Sequence, residues 1–347
     1  MNHLFSPISL RELTLRNRIM MSPMCIYSAA KDGIATDWHF AHYLSRAVGG
    51  VGLIILEATA VERRGRISPN DLGLWESAQI EALSRLTSAI QQQGAAVGVQ
   101  LAHAGRKAFS KTKGIGPQTA VAPSSIAFDQ NWSVPAVLDE AEIDEIVVSW
   151  RAAAERAILA GFDMIEIHAA HGYLIHQFLS PISNKRFDQY GGDHAGRMRF
   201  LLRIVRVIRE VMPDEMPLMV RVSSTDWVDG GLMLDDLVEV SRELKAEGVD
   251  IIDCSSGGLT PVGPAIIEPG YQVPFAQRIR DDVEIATVAV GLITEAEQAN
   301  KVIRNRQADI VALGRELLRN PYWSLNAARV LNVDIDWPPQ YERAKPT

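Results

Sequence analysis

The chain has 347 residues, room for one large core, with 47% apolar and 22% charged residues, the balance of a soluble globular protein. Its net charge of −7 argues against nucleic acid or an anionic membrane surface as a partner, because both need a basic surface. The two cysteines, Cys25 and Cys254, form no CxxC pair, which argues against a cysteine-ligated zinc or iron–sulfur centre.

The N-terminal stretch Met1-Asn2-His3-Leu4-Phe5-Ser6-Pro7 lacks the charged-then-apolar pattern of a secretory signal. No apolar run approaches the roughly 18 residues of a membrane span. A cytoplasmic protein is the expectation. Eight short apolar runs follow in order: Arg18–Ser22, Val51–Glu57, Ala95–Leu101, Phe162–Ile167, Pro217–Arg221, Val249–Cys254, Ile285–Ala289 and Asp309–Leu313. Near-continuous apolar strands are buried on both faces, as in a parallel sheet. Helical patterns lie between them. Asp139-Glu140-Ala141-Glu142 has the form of a capping box, and Ile143, Ile146, Val147, Trp150, Ala154, Ala157 and Ile158 repeat behind it at helical spacing. Thr294-Glu295-Ala296-Glu297 reads as a second such start, and Gly94 and Gly248 sit where helices should stop.

Eight strand–helix pairs predict an α/β fold, a single (β/α)8 TIM barrel across residues 1–347, rather than an open doubly wound sheet. No GxGxxG follows any strand. Residues 103–137, rich in Gly, Pro, Ser and Thr, form a long loop after the third strand and read as a cap over the barrel mouth. Residues 337–347, containing Trp337-Pro338-Pro339-Gln340-Tyr341-Glu342-Arg343, read as a C-terminal arm.

Barrel chemistry sits at the C-terminal ends of strands. Those ends offer Ser22, Pro23, Met24, Cys25 and Tyr27 after the first, Ala58 and Thr59 after the second, and Gln100, His103, Arg106 and Lys107 at the third. The fourth offers His168, His171 and Tyr173, and the fifth Arg221. The sixth offers Ser255, Ser256, Gly257 and Gly258, the seventh Gly291, and the eighth Gly314 with Arg315. Glycines let backbone N–H groups approach an anion and Arg315 adds a forked cation, so the last loops suit a phosphate better than they suit mere tight turns. Arg221 in an apolar strand needs an anionic partner, either a ligand or a structural ion pair with Glu57 or Glu166. Gln100 can face a planar ligand or satisfy backbone. His168 and His171, three apart, could begin a metal site, yet no third ligand is clear among the strand ends. They could equally grip a substrate oxygen with Tyr173 near enough to deliver a proton.

These residues lie in motifs that are weak singly and specific in series. They are Leu15-Arg16-Asn17-Arg18-Ile19, Ser22-Pro23-Met24-Cys25, Asp37-Trp38-His39, Glu57-Ala58-Thr59, Gln100-Leu101-Ala102-His103-Ala104-Gly105-Arg106-Lys107, and His168-Ala169-Ala170-His171-Gly172-Tyr173-Leu174. Ser183-Asn184-Lys185-Arg186, Tyr190-Gly191-Gly192, Gly314-Arg315 and Gln340-Tyr341-Glu342-Arg343 complete the series. Over nearly its whole length the chain resembles the Old Yellow Enzyme family of FMN-dependent ene-reductases, and within it the bacterial YqjM-type and xenobiotic reductase A subgroup.

The resemblance implies non-covalent FMN, with its phosphate at Gly291, Gly314 and Arg315. Ser22, Pro23, Met24, Cys25, Ala58 and Gln100 would contact the ring, and Arg221 would lie beside its N1–O2 edge. It implies NADPH as hydride donor, an enone whose carbonyl His168 and His171 hold, Tyr27 shaping the pocket and Tyr173 as proton donor. It also implies a homodimer or homotetramer in which Arg343, with Tyr341 beside it, reaches a neighbouring active site. Val290 stands where some members carry tryptophan, which implies a roomier pocket. Two other readings remain at this point: a non-catalytic flavin redox sensor built on Cys25, and a metal-dependent barrel lyase or hydrolase using His168 and His171. A dienoyl-CoA reductase type would need an iron–sulfur cluster and an extra domain.

Overall fold

The computed structural model describes residues 3–108 and 120–346, so the middle of the expected capping loop, 109–119, lies outside the described residues. Eight parallel strands close a barrel: β1 Ile19–Met21, β2 Leu53–Ala60, β3 Ala96–Ala102, β4 Met164–Ala169, β5 Leu218–Ser223, β6 Ile251–Ser255, β7 Ala286–Ala289 and β8 Ile310–Leu313. Each strand pairs with the next in the chain, and β8 pairs with β1 to close the ring. This is the TIM-barrel order.

Each expected run holds a strand, but the ends shift. β2 runs through Ala58 and Thr59 instead of ending before them, and β5 continues two residues beyond Arg221. β2 slips register against β3 between Leu56 and Thr59, a bulge that turns the strand mid-course. The Glu57 carboxylate there accepts a hydrogen bond from the Ile26 N–H at 2.9 Å, while Ala58 packs against Ala102, Tyr27 and Tyr173. The bulge thus anchors the loop after β1 and presents Ala58 at the barrel mouth.

Helices surround the barrel: α1 Asp37–Val48, α2 Ile80–Gln91, α3 Glu140–Leu159, α4 Leu174–Leu179, α5 His194–Arg209, α6 Leu234–Ala246, α7 Val273–Val283, α8 Ala296–Arg304, α9 Arg315–Arg319 and α10 Trp323–Val330. α3 begins as the sequence suggests. The Asp139 carboxylate accepts from the Glu142 N–H at 2.8 Å, and Glu142 accepts from the Asp139 N–H at 3.1 Å. The second expected capping box does not form. α8 starts one residue later, with Glu295 at its cap and no side-chain capping bond, because the Thr294 N–H donates to Gln298 instead.

Inside the barrel, Met20, Leu53, Ile55, Met164, Met219, Ile251, Val288 and Ile310 fill the N-terminal half. A hairpin of Ile8–Leu10 and Leu13–Leu15 closes that end with Leu10 and Leu15. Alternate residues such as Ile54, Leu56, Val97, Val99, Ile165 and Ile167 face the helices. Period-two alternation then carries the inward face of β3 to β6 from apolar to polar, at Gln100, Glu166, Arg221 and Asp253.

Asp139→Ala removes the α3 cap and should lower stability by about 1 kcal/mol in urea unfolding. NADPH turnover should be unchanged, since Asp139 is not part of the cavity lining at the strand ends.

Candidate active site

At the C-terminal ends of the strands lies a cavity of about 330 Å³. Arg221 and Ser255 line its inner end, Gly291 its middle, and Gly314, Arg315 and Arg319 its outer end. Gly291 has φ +124°, and a Cβ there would meet Gln272 Nε2 at 3.0 Å. Only glycine fits that turn. Ser256 donates to Gln272 Oε1 at 2.6 Å, and Gln272 Nε2 donates to the Val290 carbonyl at 3.1 Å. That pair, which the sequence did not reveal, braces the β6 and β7 loops. The outer end thus combines close-approach glycines with arginines, the donor set of a phosphate site.

At the inner end is a buried charge cluster. Arg221 Nε lies 3.1 Å from Asp253 Oδ2, so its partner is neither of the glutamates that the sequence suggested. Glu166 instead accepts from Gln100 Nε2 at 3.0 Å. Among the described residues, no N–H or O–H donor reaches Glu166 Oε1 or Asp253 Oδ1, although both are buried. Two such acceptors side by side are satisfied when one carboxyl carries a proton and donates it to the other. Burial, then the facing Asp253 carboxylate, pushes Glu166 well above the ordinary carboxylate range. Burial raises Asp253 too, but Arg221 opposes it. Both carboxyls are raised, so the pair shares a proton, and Asp253 is the one that faces Arg221.

Above the cluster stand the two histidines. His168 is the last residue but one of β4, and its Nδ1 accepts from the Ala170 N–H at 3.3 Å. His171 occupies the left-handed region, φ +57°, and its Nδ1 lies 3.4 Å from His168 Nε2. The Tyr173 ring packs edge-on against His168, with centroids 4.9 Å apart. Burial, with Arg221 next in weight, drives both imidazoles well below their ordinary range, so they are neutral. Burial has the opposite effect on Tyr173, raising its phenol with help from Cys25 and Tyr27, so it keeps its proton.

The turn that carries His171 is wedged. A Cβ on Gly172 would sit 2.1 Å from the Gly258 carbonyl oxygen. Lys107, from the loop after β3, donates to the carbonyls of His171 at 2.8 Å and Gly258 at 2.9 Å. The His171 N–H donates to Ser223 Oγ at 2.9 Å, and Ser223 donates onward to Gly257 at 2.8 Å. Lys107 and Ser223 thus tie the β3, β4, β5 and β6 loops together. Arg106 holds the described part of the long loop to this assembly through the carbonyls of Ile126 at 3.2 Å and Leu259 at 2.7 Å.

Ser22 and Pro23 are buried, while Met24, Cys25 and Tyr27 are half-buried at the mouth. Met24 Sδ would be 3.6 Å from a Cβ on Gly314. Tyr341 and Arg343 are exposed on a short turn, Pro339–Ala344, where Tyr341 packs on Tyr322. Within one chain neither belongs to the cavity lining. The described residues contain no group of three or more His, Cys, Asp or Glu able to hold a metal ion, and no helix long and apolar enough to cross a membrane.

The chain matches the NADH:flavin oxidoreductase / NADH oxidase family over residues 3–334. It is 54% identical to an NADPH dehydrogenase of Listeria monocytogenes serotype 4b (strain CLIP80459), covering 99% of each chain. It is 49% identical to an NADPH dehydrogenase of Bacillus subtilis (strain 168), covering 98% of each. Among solved structures, an Old Yellow Enzyme homologue from Zymomonas mobilis superposes with a TM-score of 0.80 at 25% identity, covering 100% of both chains.

Arg221 also acts as a nearby charge on Glu166, which can therefore take over as the anion when Asp253 is lost. Asp253→Asn and Glu166→Gln should therefore each cost little, while the double variant leaves a buried arginine unpaired and should cost roughly 3–5 kcal/mol. A double-mutant cycle in urea tests this, and additive costs would contradict the shared proton. The histidines give a pH signature. Unfolded histidine ionises near pH 6.5, and the folded imidazoles resist it. Below that pH the unfolded chain therefore takes up protons that the folded one refuses, and stability should fall as pH drops from 7 to 5. His168→Asn should flatten that fall in urea titrations at the two pH values.

Proposed function

We propose, on the premise that the chain belongs to the NADH:flavin oxidoreductase / NADH oxidase family, the Old Yellow Enzyme family, that this FMN-dependent NADPH dehydrogenase reduces the activated C=C bond of α,β-unsaturated carbonyl compounds. The observation that carries this reading is the convergence of His168 Nε2 and His171 Nδ1 on one point beside Tyr173.

FMN fits the residues present. Gly291, Gly314 and Arg315 would hold its phosphate. Ser22, Pro23, Met24, Cys25, Ala58 and Gln100 would line its ring, and Arg221 would meet its electron-rich edge. When bound, FMN accepts hydride from NADPH and supplies it to the acceptor. His168 and His171 offer two neutral N–H groups to the enone carbonyl oxygen. Neutral donors stabilise the negative charge that grows on that oxygen as the β-carbon takes hydride, without giving up a proton to it. Tyr173, whose phenol keeps its proton, delivers that proton to the α-carbon. Tyr27 closes the pocket side, and Val290 leaves it roomy. One pocket serving donor and acceptor in turn makes the kinetics ping-pong. The exposed Tyr341 and Arg343 would complete the pocket of a neighbouring subunit in a homodimer or homotetramer.

Adding a para-substituted phenol to the flavoprotein should produce a long-wavelength absorption band that His168→Ala abolishes while FMN stays bound. Tyr173→Phe should slow flavin reoxidation by an enone by about 10²–10⁴-fold and spare reduction by NADPH. Stopped-flow half-reactions measure both. Equal slowing of the two would remove Tyr173 from the proton-donor role. Truncation after Pro339 should raise the enone KM, and sizing chromatography reports whether the oligomer survives.

A further inference from the structure

Five of the eight histidines share a pattern that His171 lacks. His3, His39, His103, His168 and His176 each accept a backbone N–H at Nδ1, at 2.9–3.3 Å. An N–H can only donate, so in each of these rings Nδ1 is the acceptor and the neutral ring carries its hydrogen on Nε2. For His39, His103 and His176 that Nε2 faces a carboxylate, Glu57 at 3.3 Å, Glu62 at 2.8 Å and Asp226 at 2.8 Å. For His168 it faces the other imidazole.

Among the described residues, His171 has no backbone donor on either nitrogen. Its Nδ1 meets His168 Nε2, and its Nε2 lies 2.7 Å from Ser255 Oγ. The ring is neutral, so one nitrogen carries hydrogen, and the serine is the group that can decide which. Ser255 ends β6, is buried, and lines the cavity. If His171 Nε2–H donated to Ser255, the hydroxyl hydrogen would need another acceptor, and no other partner of Ser255 Oγ is found among the described residues. If the hydroxyl donates to Nε2, both groups are satisfied and the ring hydrogen lies on Nδ1. His171 Nδ1–H and His168 Nε2–H then point at each other across 3.4 Å, a clash of two donors that an acceptor oxygen between them would resolve.

We propose that Ser255 is a positioning residue that sets the tautomer of His171, donating its hydroxyl hydrogen to Nε2 so that Nδ1–H faces the oxygen of a bound carbonyl or phenolate. No bond to substrate is made by the serine, and no proton changes owner during the reaction. Its contribution is to make His171 a second donor where an unassisted ring could take the other tautomer and repel the oxygen. The proposal rests on the assignment of His168 and His171 as the oxygen site.

The test uses the flavoprotein with ¹⁵N-labelled histidine, and para-hydroxybenzaldehyde as the probe. Long-range ¹H–¹⁵N spectra identify which nitrogen of each ring is protonated, with and without the probe. In the wild type with probe bound, His168 should be Nε2–H and His171 Nδ1–H. Ser255→Ala should convert His171 to Nε2–H or to a mixture, and weaken probe binding about tenfold, the worth of one hydrogen bond. Ser255→Thr, which keeps the hydroxyl, should restore both. A wild-type complex with His171 as Nε2–H overturns the proposal, as does a Ser255→Ala protein whose His171 tautomer and affinity are unchanged. If Ser255→Ala cannot hold FMN, the wild-type tautomer alone decides. A probe that perturbs neither histidine signal sinks the oxygen site itself and the ene-reductase reading with it. A perturbed signal with the wrong tautomer sinks only the role of Ser255.

Discussion

The ion pair between Arg221 and Asp253, sealed inside the barrel, is the constraint around which the site is arranged. A buried guanidinium is tolerable only with a buried anion. Here the anion is one of two carboxyls, because Glu166 on β4 and Asp253 on β6, both raised by burial, share a proton. The cluster of Gln100, Glu166, Arg221 and Asp253 is then neutral in sum, yet its positive end is at the cavity. From there Arg221 ranks second only to burial among the causes that keep His168 and His171 uncharged. One buried cation thus reinforces the neutrality that burial imposes on the groups above it. It also leaves a fixed positive charge where a reduced flavin would carry a negative one.

Geometry above the cluster comes from closely packed, hydrogen-bonded backbone. His171 is left-handed, Gly172 touches Gly258, and Lys107 bridges the carbonyls on both sides of that contact. Left-handed backbone at a non-glycine residue costs free energy and persists only when its surroundings over-determine it. Here they do, through Ser223 on the His171 N–H and through His176, which accepts from the Gly172 N–H while its Nε2 is held by Asp226. The strain lies at the residue whose ring must point inward.

Much of this was legible in sequence for a physical reason. Parallel strands buried on both faces are written as unbroken apolar runs, and all eight runs hold strands. Helix α3 announces itself by a local capping box, and the glycines and arginine singled out in the sequence, Gly291, Gly314 and Arg315, line one cavity. What was not legible depends on register. Asp253 sits inside an apolar run, and its meeting with Arg221 requires knowing that the two residues pair across β5 and β6. Ala58 was read as lying after β2, but a bulge keeps the strand going and turns that residue to the mouth. Ser255 was visible only as one of two serines before two glycines, and Lys107 only as a cation beyond a strand. Neither spacing nor composition says which loop a side chain will reach. For Tyr341 and Arg343, exposed in the single chain, the decisive contact would be with a second copy.

The same burial acts in opposite senses on the acids and bases of the site. It raises the phenol of Tyr173, whose acidic form is neutral, and lowers the imidazoles, whose basic form is neutral. All three end as uncharged donors within one small space. An acid held well above its ordinary pKa gives its proton only to a strong base, and an enone oxygen before hydride arrives is a weak one. In the proposed reading, the tyrosine therefore cannot protonate the substrate early. The histidine donors polarise the carbonyl without quenching it. Only after the β-carbon has taken hydride does the α-carbon become basic enough to draw the Tyr173 proton. In that reading the order of the two transfers, hydride before proton, would follow from the desolvation of these three side chains.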